Sequence, residues 1–182
     1  FDEVQTGFYG SGKPWFWQTT GVSPDVVSFG KKTQTCGIYA NDRVKEVVDN
    51  VFEKSSRINS TWGGNLVDMI RCKQFINIIE RDNICDQVEA IGNHVIAGLR
   101  EMSKSTQAFT SVRGRGSLIA FTMPTPEQRS EMLNSLMDKG VIALSCGIKS
   151  VRFRLPLIMT MEEANLLLEK TGESIHSMQA TV

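Results

Sequence analysis

The sequence predicts an α/β fold, and three observations carry the prediction. Two short, mainly apolar runs end in reactive side chains, Phe1-Asp2-Glu3-Val4 and Val26-Val27-Ser28-Phe29-Gly30-Lys31, which is how a mostly parallel sheet presents groups to a shared crevice. Two long stretches, from Asn65 and from Ile84, then carry apolar residues at helical spacing. From Val112 onward the texture alternates between strand-like and helix-like segments, the mark of a compact α/β unit.

Each element follows from local chemistry. Phe1 to Val4 reads as the end of a strand, and with no initiator Met ahead of it the chain is expected to be the C-terminal piece of a longer protein. Pro14 suits the first turn of a short helix over Trp15-Phe16-Trp17-Gln18, which Gly21 closes. Val26–Phe29 is the β-branched-rich run of a strand covered on both faces. Asn41-Asp42 offers an N-cap for a helix over Arg43-Val44-Lys45-Glu46-Val47-Val48, and a polar connection from Glu53 to Arg57 follows. Leu66, Met69, Ile70, Phe75, Ile76 and Ile79 then form the stripe of a long helix. A second helix, Ile84 to Ser103, sets Val88, Ile91, Val95 and Leu99 on one face. Val112 to Met123 holds a glycine-marked turn and a strand, and Pro126 to Lys139 a helix. Val141 to Leu144 and Val151 to Leu155 read as strands, and Met161 to Met178 as the last helix.

Composition narrows the function. Lys and Arg total 20 against 20 Asp and Glu in 182 residues, with no run of like charge, so an electrostatic nucleic-acid or anionic-membrane binder is not expected. Small molecules and other subunits are the expected partners. Cys36, Cys72, Cys85 and Cys146 are scattered, without a C-x-x-C pair or a nearby histidine, so reduced thiols in or near a core are expected rather than zinc or disulfides. His94 and His176 fall inside helical patterns and suit surface or packing roles. No stretch reaches the ~20 apolar residues of a membrane span. A soluble protein of a reducing, cytoplasmic compartment is the expectation.

The acid and the lysine at the two strand ends suit pyridoxal phosphate, whose chemistry needs a lysine to hold its aldehyde as a Schiff base and a carboxylate to keep its pyridine nitrogen protonated. In an extended segment Asp2 and Val4 share a face, giving an acid for the nitrogen and an apolar cushion for the ring. Gln5 could hydrogen-bond the ring hydroxyl oxygen. Spacing alone does not choose between Lys31 and Lys32. Thr61, in Ser60-Thr61-Trp62-Gly63-Gly64, offers a hydroxyl ahead of a helix N-terminus suited to phosphate. Arg152 and Arg154 share one face of their strand and could grip a carboxylate, although an edge strand displaying surface charge is the alternative from spacing alone. Gly7-Phe8-Tyr9-Gly10-Ser11-Gly12-Lys13 matches a nucleotide-binding glycine loop. Pro14, however, occupies its metal-holding Ser/Thr position and removes a backbone donor.

Taken together, Asp2-Glu3-Val4-Gln5-Thr6-Gly7, Pro24-Asp25 ahead of Lys31, Asn59-Ser60-Thr61-Trp62-Gly63-Gly64-Asn65 and Val151-Arg152-Phe153-Arg154-Leu155-Pro156-Leu157 resemble the class III aminotransferases. The lysine 6-aminotransferase branch is the nearest in pattern and the 4-aminobutyrate branch the next. The resemblance implies the end of a fold-type-I cofactor domain over residues 1–64, then an interdomain helix and a small α/β domain over 65–182. It implies Asp2 as the pyridinium partner, Val4 and Gln5 at the ring, Lys31 as the Schiff-base and general-base lysine, and Lys32 as its neighbour. By the same pattern Thr61 reaches the cofactor phosphate of the other subunit of a homodimer, and Arg152 and Gln5 are substrate-binding residues. Amino acids and 2-oxo acids are the implied substrates. The family's upstream phosphate-binding loop, ring-stacking aromatic and specificity acid have no counterpart here, and Leu155 stands where many relatives have proline. The chain alone is therefore expected to hold an incomplete active site.

Overall fold

Val26–Phe29 forms strand β1 and Gly37–Ala40 strand β2, an antiparallel pair in register from Val26 opposite Ala40 to Phe29 opposite Gly37. The computed structural model describes residues 1–47 and 49–180. It divides into two compact units, Phe1–Cys85 and Asp86–Val182, and each is taken by itself.

In the first unit, β2 is an element that the sequence pattern does not announce, since Ile38-Tyr39-Ala40 behind a glycine is too short to show a period. On the other side of β1, Asp2 makes a single parallel bridge with Ser28, closed by Ser28 N–H to the Phe1 carbonyl at 3.0 Å and Glu3 N–H to the Ser28 carbonyl at 2.9 Å. The expected strand through Val4 is thus shortened. The Asp2 carboxylate accepts the Val4 N–H at 3.0 Å, and residues 4–6 turn, a local competition that short acidic side chains often win. A 3₁₀ helix covers Phe16–Thr19. Another covers Asp42–Glu46, with Asn41 accepting from Arg43 N–H at 2.9 Å. Val48, expected in that helix, lies outside the described residues.

Helix α1, Leu66–Arg81, starts at Asn65, whose side chain accepts from Val67 N–H at 2.9 Å. Of its stripe only Ile79 is buried, whereas Leu66 and Ile70 stay 70% and 62% exposed. By its contacts α1 belongs with residues 1–65 rather than with the second unit.

The second unit holds most of helix α2, Ile84–Thr106, and a sheet of β3 (Thr110–Arg115), β4 (Leu118–Thr122), β5 (Leu144–Cys146) and β6 (Ser150–Arg154). The strand order is β3-β4-β6-β5 with every pair antiparallel. Helices α3 (Pro126–Asp138) and α4 (Met161–Ala180) complete it. Val95 and Leu99 of α2 join Phe109, Phe121, Phe153, Met132, Leu136 and Ile175 in one apolar core, the payoff expected of an amphipathic helix laid on a sheet. Strand β5 starts at Leu144 rather than Val141. The N–H of Val141 returns to the Leu136 carbonyl at 2.8 Å and that of Gly140 to Met137 at 2.9 Å, a Schellman close to α3 that uses up the residues read as strand.

Candidate active site

Asp2 sits beside the C-terminal half of β1. The hydroxyl of Ser28 donates to its Oδ1 at 3.0 Å, alongside the Val4 N–H. The Val4 amide first, then the Ser28 hydroxyl, hold the carboxyl below its ordinary range, and the N-terminal amine and the Lys31 ammonium act in the same direction. Asp2 is therefore a carboxylate at neutral pH. Lys31 follows β1 by two residues and is exposed, as Asp2 is. The predicted acid and lysine thus both lie at the C-terminal end of β1, Asp2 through its bridge to Ser28 and Lys31 two residues beyond Phe29.

The backbone around them is tightly specified. A Cβ on Gly30 would lie 3.2 Å from Cys36 Sγ, a tight contact the Cys36 side chain would have to ease by a few tenths of an ångström, and 3.8 Å from Val4 Cγ1, an ordinary one. The buried Thr33 hydroxyl lies within hydrogen-bond reach of the carbonyls of Gly30 and Thr35 and donates its one hydrogen to one of them at a time, bracing the turn at the end of β1. Lys32 points elsewhere from Lys31, with Nζ donating to the Gln5 carbonyl at 2.9 Å and the Gly7 carbonyl at 3.3 Å. Gln5 itself presents a buried side-chain oxygen with no hydrogen-bond partner among the described residues. A buried polar atom left so is costly unless a bound group answers it.

One supporting residue of the site is missed by the sequence reading. Glu3 is only 3% exposed, and its carboxylate accepts from Trp17 N–H at 2.7 Å, Phe16 N–H at 3.1 Å and the Thr6 hydroxyl at 2.7 Å. It pins the loop of Trp15 to the strand end that carries Asp2. The signal was the pair Asp2-Glu3 itself, since alternation sends the second acid inward, where it must find donors.

The glycine loop is not a phosphate cradle in this conformation. The amides of Phe8 and Tyr9 donate to the Pro14 carbonyl at 2.8 and 3.2 Å, Gly7 donates to Glu3 and Gly12 to Tyr9. Thr61 lies on the exposed turn that precedes α1. Next to that turn an open cleft of about 530 Å³ is lined by Phe29, Cys36, Gly37, Asn59, Ser60 and Gly63 among others. Asp2 and Lys31 are not among its lining residues.

In the second unit Arg152 is on β6, an interior strand rather than the edge that spacing alone suggested. Val151 and Phe153 face the core, Arg152 is half-buried with a buried Nε that has no partner among the described residues, and Arg154 is exposed. His94 pairs with Asn165 at 2.7 Å and His176 with the Gly172 carbonyl at 2.8 Å. All four cysteines are free, with Cys36 and Cys146 exposed rather than in a core. Among the described residues no cluster of His, Cys, Asp and Glu could hold a metal, and no helix is long and apolar enough to cross a membrane.

An ionised acid and an exposed primary amine at one strand end, with an unanswered amide beside them, are what a cationic heterocycle carrying an aldehyde would require. The class-III aminotransferase family model matches residues 1–175. The chain belongs to the class-III aminotransferases. The L-lysine-epsilon aminotransferase of Mycobacterium tuberculosis is 44% identical over 164 residues, covering 90% of this chain and 36% of the relative. That of Amycolatopsis lactamdurans is 43% identical over 178 residues, covering 97% and 40%. The 4-aminobutyrate aminotransferase of Dictyostelium discoideum is 30% identical over 181 residues, covering 97% and 35%. The structure of lysine aminotransferase from M. tuberculosis matches with a TM-score of 0.92 at 41% identity, over 97% of this chain and 41% of that one. As a class-III aminotransferase the chain carries part of the fold-type-I architecture, and it spans about two fifths of the length of the relatives it matches.

Proposed function

We propose that this chain is the C-terminal part of a pyridoxal-phosphate-dependent aminotransferase that moves the terminal amino group of L-lysine, or of a similar ω-amino acid, to 2-oxoglutarate. The observation that carries the reading is the placement of Asp2 and Lys31 at the same end of β1, with the Asp2 carboxylate held by the Val4 N–H and the Ser28 hydroxyl. When bound, pyridoxal phosphate supplies a reactive carbonyl and a protonated ring that accepts the electron pair released at the substrate carbon.

The residues divide the work by their chemistry. Asp2 would hold the ring nitrogen in its protonated form, a task for which a carboxylate kept ionised by a backbone amide is suited. Val4, packed near Gly30, would present an apolar contact, and the unanswered Gln5 amide would meet the ring oxygen. Lys31 would hold the cofactor and, with its amine free, would take the proton from the substrate carbon that bears the amino group and, as an acid, give it up at the former aldehyde carbon of the cofactor. Arg152 would orient the substrate carboxylate through paired N–H donors. A homodimer, with Thr61 reaching the partner's phosphate, is part of this proposal, and the exposure of Thr61 together with Trp62 and Leu66, at 77% and 70%, supports it.

The identities to lysine-epsilon aminotransferases at 43–44%, against 30% to a 4-aminobutyrate enzyme, favour lysine as donor. The full-length gene product, assayed with 2-oxoglutarate, should convert L-lysine faster than 4-aminobutyrate or ornithine. Preference for 4-aminobutyrate would move the substrate to that branch, and turnover retained by Lys31→Ala would remove the assignment of the lysine.

A further inference from the structure

The lysine pair leaves Lys32 without an assignment, yet its ammonium is the more constrained of the two. It is half-buried and donates to the Gln5 and Gly7 carbonyls, across 27 and 25 residues of chain. Those acceptors are backbone atoms of the turn that follows Asp2, so they cannot swing aside as a side chain would. Charge-assisted bonds of this kind are shorter and stronger than neutral ones. On its own side Lys32 is flanked by Lys31 and by the buried Thr33, whose hydroxyl closes on the Gly30 carbonyl. The turn carrying the amine and the turn carrying the acid and Gln5 are joined as well through the bridge at Asp2 and Ser28 and the packing of Val4 towards Gly30.

We propose that Lys32 is a positioning residue: its bonds to the Gln5–Gly7 turn fix the distance between the Lys31 amine and the Asp2 and Gln5 side chains. The inference rests on Lys31 being the cofactor-holding lysine. Lys32 contributes alignment while Lys31 contributes the chemistry, and a displacement of about 1 Å at a reacting centre costs on the order of a hundredfold in rate.

The test uses the full-length gene product with pyridoxal phosphate, comparing wild type, Lys32→Met, Lys32→Gln and Lys32→Arg. Borohydride labelling should place the pyridoxyl group on the Lys31 position in all four. Lys32→Met should lower kcat by about tenfold to a hundredfold, the scale of such a displacement. It should do so with KM for the amino donor little changed, and should shift the pH midpoint of the visible band of the lysine-bound cofactor. Lys32→Arg, which keeps N–H donors for both carbonyls, should recover part of both. If Lys32→Met fails to fold, Lys32→Gln, with one amide donor group of shorter reach, should show the same changes relative to Lys32→Arg. Wild-type kcat and spectral midpoint in the folded variants, with or without lowered thermal stability, would overturn the positioning role. A label found on Lys32 in the wild type would instead overturn the reading of Lys31 on which it rests.

Discussion

Asp2 shows how a single side chain can be set for one charge state. With its carboxyl lowered by the Val4 amide and the Ser28 hydroxyl, Asp2→Asn should preserve the fold, because an amide oxygen still accepts both bonds. It should cut transamination by at least about a hundredfold, the scale of losing one preorganised electrostatic partner, and kcat measured beside a melting curve separates the two effects. Glu3 is the opposite case, a buried acid with structural work. Glu3→Ala leaves the amides of Phe16 and Trp17 unanswered, and should cost about 3 kcal/mol by urea denaturation, since each orphaned buried donor costs roughly 1–3 kcal/mol. Asp2 and Lys31 were legible as strand ends. The hold of Lys32 on the Gln5 and Gly7 carbonyls was not, because it depends on a turn distant in sequence. The shared face of Asp2 and Val4 read from alternation does not carry over, since the extended run stops where the Asp2 carboxylate accepts the Val4 N–H and residues 4–6 turn.

Among the elements, the helices were the legible part. Their stripes run over several turns, and α1, α2, α3 and α4 begin where Asn65, Ile84, Pro126 and Met161 stand in the sequence. The short strands were not, because β2 lacks a period and β5 yields its start to the close of α3. Helix α4 opens with a capping box, in which Thr160 N–H and hydroxyl donate to Glu163 Oε2 at 2.7 and 3.1 Å and Glu163 N–H returns to the Thr160 hydroxyl at 3.2 Å. The Thr160 amide, then its hydroxyl, lower the Glu163 carboxyl from its ordinary 4.5. A depressed carboxyl stabilises fully above its unfolded value and ceases to do so as pH falls through its lower folded value. The melting temperature should therefore drop as pH falls below the ordinary carboxyl value of 4.5, and Glu163→Gln should show a smaller share of that drop than wild type. Gly92 of α2 is a contact point, since a Cβ there would meet the Gly116 carbonyl oxygen at 2.3 Å. Gly92→Ala forces backbone apart and should destabilise the second unit by about 1–3 kcal/mol, as overpacking does, seen as a lowered melting midpoint.

At the scale of the whole molecule, the balanced charge of 20 basic and 20 acidic residues and the family match over residues 1–175 agree on a small-molecule enzyme family rather than a polyanion binder. What the sequence could not supply is set by extent. The chain spans about two fifths of the length of its relatives. Within the chain, the proposed function stands or falls on Lys31 and Asp2 addressing one cofactor. The decisive experiment is borohydride reduction of the full-length gene product with pyridoxal phosphate, followed by peptide mapping. A pyridoxyl group is expected on Lys31 alone, absent in Lys31→Ala; a label on Lys32 or on no lysine of this chain would contradict it.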